Sequence, residues 1–170
     1  MESRAKLLGH PIHQMLIVLP LGLFVSAVVF DALFLARGLP AFAIVSYWNI
    51  ALGVAGGLLA AVFGLIDWLA IPSATRAKRI GLLHGFVNVL VVAAFASAWL
   101  MRRGTIDLAP DTNVFLLEVG GLLLGTVGGW LGGELVDRLG VGVTEGANLN
   151  APSSLSSQAV RTTESRTGRP

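Results

Sequence analysis

Four stretches of the chain are apolar almost without interruption: roughly Met15–Ala36, Tyr47–Leu69, Ile80–Leu100 and Val114–Val136. A bilayer core takes about 20 helical residues, and each stretch supplies that length. None alternates apolar and polar positions as a lipid-facing barrel strand does. The pattern therefore predicts four transmembrane helices. Turn chemistry separates them: "RGLP" at Arg37–Pro40, the basic "IPSATRAKR" at Ile71–Arg79, "RRGTIDLAPDTN" at Arg102–Asn113, and "RLGVG" at Arg138–Gly142. Glycine and proline at such positions end helices. Pro20 lies inside the first stretch, where it frees a backbone carbonyl and is expected to kink the helix.

The first stretch has features of a signal peptide, with Arg4 and Lys6 ahead of it and "VSA" at Val25–Ala27. The apolar run continues past that point, so a retained helix is expected. From Thr144 to Pro170 the chain is rich in Ser, Thr, Gly and Arg and reads as a disordered tail. The expected organisation is an all-α four-helix membrane domain over residues 1–143 and a tail over 144–170.

Composition agrees. Of 170 residues, 54% are hydrophobic and only 13% charged, about half the charge of a soluble domain. The 21 glycines suit membrane helices, which tolerate them. A net charge of +2, with no basic patch, gives no reason to expect a nucleic-acid partner. The absence of cysteine excludes disulfides, thiolate metal sites and cysteine-bound iron–sulfur clusters. No Walker loop, nucleophile elbow or Rossmann fingerprint is present, and no catalytic residue is assigned.

Lys and Arg near the helix ends set the expected orientation. Arg4, Lys6, Arg76, Lys78, Arg79 and Arg138 flank one face, against Arg37, Arg102 and Arg103 on the other. Six against three puts both termini in the cytoplasm of an inner (plasma) membrane. On that basis His10, His13, Asp67, His84 and Glu134 all fall at the cytoplasmic end, with Asn88, Trp68 and Trp130 beside them. The other end holds Asp31, Asn49 and Glu118.

Ionisable residues in a span are costly and generally face the bundle interior. Gly53, Gly56, Ala60 and Gly64 share a face of the second helix with Asp67. Gly121, Gly125, Gly129 and Gly133 form a ladder of small residues on the fourth, expected to pack against a neighbouring backbone. The cytoplasmic cluster has a plain reading, as helix-end residues tied up in ion pairs and interface anchoring. It also has sharper ones. His10 or His13 with His84 could supply axial imidazoles to haem b. The same histidines with Asp67 and Glu134 offer donors for a non-haem metal ion, with Asn88, Trp68 and Trp130 as supporting neighbours. A proton or solute path along Asp31, Asn88, Asp67 and Glu134 is a third.

"GHPIHQMLIVLPLGL" followed by "FD" (Phe30–Asp31), "GLIDWLAIP" (Gly64–Pro72), "RAKRIGLLHGFVN" (Arg76–Asn88) and "GWLGGELVDRLGVGV" (Gly129–Val143) resembles DUF2231, a family of bacterial and archaeal membrane proteins of unknown function. The resemblance covers all but the tail and implies a four-helix membrane domain. Some relatives carry a Rieske-type domain, which implies respiratory company. The matching positions are His10, Pro11, His13, Asp31, Asp67, Trp68, His84, Asn88, Gly132, Gly133 and Glu134. Two depart from the family's usual form: Gln14 stands where proline is common, and Leu139 where histidine is frequent.

The sequence thus leads to a polytopic membrane protein with a His/Asp/Glu cluster, expected to bind haem or a metal ion in an electron-transfer role. A small oligomeric transporter and a non-catalytic membrane scaffold are the alternatives. The expected partners are the lipid bilayer and either a second copy or a redox membrane protein.

Overall fold

The structure is a computed structural model, described over residues 1–156. It opens with a minimal hairpin, β1 (Lys6–Leu7) antiparallel to β2 (His10–Pro11). Leu8 and Gly9 make the turn with φ of 50° and 86°, the two positive values a tight two-residue hairpin requires. The first span follows as α1 (Ile12–Leu16) and α2 (Val18–Arg37). The break falls at Ile17, beside Leu16, whose carbonyl is four residues before Pro20 and would meet the proline ring in an unbroken helix.

Gly38 ends α2 with φ 67°, its N–H donating to Phe34 O at 2.7 Å. Pro40 then starts α3 (Pro40–Ala70) at the first helical position, where its missing N–H costs nothing. Thr75 caps α4 (Arg76–Met101) by accepting from Lys78 N at 3.1 Å. Asp111 caps α5 (Thr112–Gly133) by accepting from Val114 N at 2.8 Å. The helix continues through a π turn at Glu134–Arg138. Four segments, Ile12–Arg37, Pro40–Ala70, Arg76–Met101 and Ile106–Arg138, are long and apolar enough to cross a membrane. Each begins earlier than the hydropathy pattern places it, most of all the second, at Pro40 rather than Tyr47, and the fourth, at Ile106 rather than Val114.

The helices run up and down as two hairpins, α2 along α3 and α4 along α5, joined by α3–α4 and α2–α5 contacts. Phe24, Ala27, Ile50, Val91 and Phe95 form the central core. The rings of Phe24 and Phe95 stack in parallel, 4.0 Å between centroids. A Cβ at Gly53 would lie 2.6 Å from Phe24, so that glycine admits the ring.

The exterior is apolar: Leu21, Leu52, Leu123 and Trp130 are all more than half exposed. The interior, by contrast, buries Asp31, Ser46, Arg102 and Glu118 completely. An apolar surface around a charged centre suits lipid rather than water.

After the helices, residues 142–156 turn back over the start of the chain. Gly142 N donates to Met1 O at 2.9 Å and Glu145 N to Glu2 at 3.0 Å. Of the expected tail, residues 144–156 form turns. The part over 157–170 lies outside the described residues.

Candidate functional site

The end of the bundle that carries the histidines brings two of them together. His13, on α1, points its ring at α3, where Nδ1 is 2.8 Å from Ala60 O. His84, on α4, reaches α5, where Nδ1 is 2.9 Å from Gly128 O. A carbonyl oxygen only accepts, so each Nδ1 carries a proton, and in the neutral form of each ring the lone pair is on Nε2. The ring centroids are 6.2 Å apart at 83°. Asn88, one turn beyond His84, donates to His84 O at 2.8 Å and lies 3.5 Å from its Nε2.

Glycines make this layer possible. A Cβ on Gly64 would come within 2.9 Å of the His13 ring. On Gly132 it would meet His84 at 3.2 Å, and on Gly128 it would meet Asn88 at 2.9 Å. The expected ladder on α5 is thereby divided. Gly121 packs against Phe95 and Ala94, and Gly125 just touches Val91. Gly129 and Gly133 have nothing within 4 Å, and the close approach falls on Gly128 and Gly132 instead.

The other residues of the sequence cluster have separate partners. Asp67 accepts from Ser3 Oγ through both oxygens at 2.8 Å and from Arg4 N at 2.8 Å, which ties the N-terminal segment to α3. Glu134 pairs with Arg76 at 2.5 Å. His10 is exposed on β2, its Nε2 3.3 Å from Ser154 Oγ. Trp68 donates to Lys78 O at 3.1 Å, while Lys78 Nζ bonds Trp68 O at 2.7 Å and lies 3.9 Å from the ring centroid. Trp130 faces outward, 66% exposed. Among the described residues no group of three or more His, Cys, Asp or Glu side chains converges as a metal site. The structure thus brings His13 and His84 together, with Asn88 alongside, and leaves His10, Asp67 and Glu134 apart from them.

A second polar layer lies at the opposite end, and its centre is a residue that the sequence reading placed in a loop. Arg102, at the end of α4, points inward and is fully buried. It grips Asp31 of α2 with two nitrogens, at 2.8 and 3.1 Å. It also donates to Ser46 Oγ at 3.2 Å, Glu118 Oε1 at 3.3 Å and Ala43 O at 2.8 Å. Its Nε donates to Leu108 O at 2.8 Å. That carbonyl is delivered by Asp107 and Leu108, both left-handed with φ of 57° and 55°, a conformation that costs non-glycine residues energy and persists only where contacts enforce it. Ser46 Oγ donates to Asp31 in turn. One signal for this layer was available in the sequence. Asp31 and Glu118 each sit about two turns inside the same bundle end, where buried carboxylates need a cation, and Arg37, Arg102 and Arg103 are the cations flanking that end.

An apolar exterior, four spans and two internal polar layers define a polytopic helical membrane protein. Residues 9–145 match the family described as "Predicted membrane protein (DUF2231)", and the chain belongs to that family. No match was found among curated proteins or among solved structures.

Proposed function

We propose that this protein is a membrane-embedded metal-binding protein with an electron-transfer role, and that its working site is the His13–His84 pair. The observation that carries this reading is the paired geometry. Both Nδ1 atoms donate to helix carbonyls, which is how proteins orient an imidazole whose Nε2 is to bind a metal. Two imidazole nitrogens each about 2.0 Å from one ion and in line with it put the ring centroids about 6 Å apart; here the rings meet edge to face at 6.2 Å.

The donor set suits a bare ion better than haem or a three-ligand centre. Only two imidazoles meet, and carboxylates do not join them. Each ring lies close against helix backbone at a glycine, which leaves little room for a porphyrin beside it. Imidazole binds copper, zinc, iron and nickel, and Cu(I) accepts two nitrogen donors in a line. Bound copper would supply one-electron chemistry, and His13 and His84 would hold it.

Orientation completes the proposal. Six Lys and Arg flank the histidine end against three at the other, and one of those three, Arg102, is spent on Asp31 inside the bundle. This supports cytoplasmic termini in an inner membrane, with the pair near the cytoplasm. An electron-transfer role needs a second redox site, on a partner membrane protein or a second copy.

The test is elemental analysis and absorbance of the purified full chain after loading in turn with Cu(I), Zn(II), Fe(II) and haem. About one copper per chain is expected, lost in His13→Ala and in His84→Ala but kept in His10→Ala. A Soret band tied to these histidines would replace the bare ion with haem. No stoichiometric metal and no Soret band after reconstitution would overturn the reading.

A further inference from the structure

Arg102 is outnumbered. It is the single cation that pairs with Asp31 and Glu118 among the described residues, and all three side chains have zero exposure. Asp31 is fully served, taking two guanidinium nitrogens and the Ser46 hydroxyl. Glu118 is not. Its Oε1 has one long contact, 3.3 Å from Arg102, and its Oε2 is buried with no hydrogen-bond partner among the described residues.

Among the described residues the surrounding elements bring no second positive charge. α2 contributes Asp31, α3 contributes Ser46 and the Tyr47 ring, and the end of α4 contributes Arg102. The adjacent Arg103 is turned away, with its guanidinium 4.8 Å from the Trp99 ring centroid. Both carboxylates ionised would leave one excess negative charge out of water, which costs several kcal/mol. One proton removes that excess and gives the free oxygen a hydrogen to carry.

We propose that this cluster is a proton-binding site, with one exchangeable proton held on Glu118 against the Arg102–Asp31 pair. Its position limits what the proton can reach. Phe24 and Phe95 lie seven residues from Asp31 and Arg102 along α2 and α4, about 10 Å deeper at helical rise, and their stacked rings close the core there. The site therefore exchanges with the bundle end nearest Arg37, Pro40 and Thr112, and does not form a path across the membrane.

Infrared spectroscopy of the full chain in lipid nanodiscs, with and without 13C-labelled glutamate, tests this directly. At neutral pH the wild type should show a protonated-carboxyl stretch that moves on labelling and on transfer to D2O. Glu118→Gln keeps shape and neutrality, so it should fold with an unchanged thermal midpoint and lose that band. Absence of a label-sensitive band in the wild type would overturn the proposal, as would a band that survives in Glu118→Gln. A wild type with no band but a thermal midpoint that rises with sodium would show that a metal cation holds the position instead. Should Glu118→Gln fail to fold, the labelled wild type alone still decides.

Discussion

The side-chain amide of Asn88 occupies the space that a Cβ on Gly128 would need, 2.9 Å from its Oδ1 and 3.0 Å from its Nδ2. Gly128→Ala must therefore push Asn88 off its bond to His84 O. We expect a loss of about 1–3 kcal/mol, typical of overpacking. Gly129→Ala, which meets nothing within 4 Å, should be neutral or gain up to about 1 kcal/mol from helix propensity. Thermal unfolding by circular dichroism in one detergent compares the two. Equal behaviour would contradict the assigned faces of α5.

Arg102 is the cation of a buried pair with Asp31, and Arg102→Ala, which strands that carboxylate, should cost about 3–5 kcal/mol. Asp31→Ala leaves Arg102 with Glu118 as counter-ion and should cost less. Replacing the set together, Arg102→Met with Asp31→Leu and Glu118→Leu, should recover most of that loss, because no unpaired charge remains. A triple variant no more stable than the single ones would show that the layer does more than balance charge.

Trp68 and Lys78 hold the α3–α4 turn through two reciprocal hydrogen bonds and a ring–cation contact. Trp68→Phe should cost about 1 kcal/mol for the lost indole bond. Lys78→Met removes the cation from the ring face, a contact worth about 0.5–1 kcal/mol where exposed. Because the residues touch, their effects should be non-additive. A double-mutant cycle on thermal stability measures the coupling, and strict additivity would refute it.

Glu2 has its carboxyl lowered from the ordinary glutamate range, first by the hydrogen bond from Lys6 and then by the N–H of Glu145. A carboxyl lowered in the folded state stabilises above its unfolded range and stops doing so as pH falls through its folded value. Acidification into and below the carboxylate range should thus release the contact between the N-terminal segment and residues 142–145. Protection of the Glu145 amide, its exchange rate relative to the intrinsic rate at each pH, should fall at acid pH in the wild type. Glu2→Gln, whose side chain does not ionise, should show no such step.

The spans were legible because lipid imposes a length and a composition. The start of α3 was not, because Ser46 reads as a boundary residue in a hydropathy scan while its hydroxyl is turned inward to Asp31. Depth along each helix correctly placed His10, His13, Asp67, His84 and Glu134 at one end, but depth says nothing about direction around the axis. Ser3, Arg76 and Ser154 meet Asp67, Glu134 and His10, and only His13 and His84 turn toward each other. The glycine ladder is divided for a related reason, with Gly121 and Gly125 against neighbours and Gly129 and Gly133 clear of them. Four-residue steps on a helix of 3.6 residues per turn drift by about 40° each, so a contact face that starts at Gly121 and Gly125 continues through Gly128 and Gly132. Arg102 was hidden by its loop address, since its burial depends on Leu108 bending back to meet it.

The separation of 71 positions from Asp31 to Arg102 also sets an order of events during synthesis. The α2–α3 hairpin emerges first, carrying a carboxylic acid and a serine whose cation has not yet been made. It can enter the bilayer, but it cannot finish packing until α4 delivers its last residue and the loop behind it closes. Glu118 arrives still later. The polar layer is thus completed only when the C-terminal hairpin is in place, and a chain stalled before Arg102 would hold Asp31 without its cation inside an otherwise apolar helix pair.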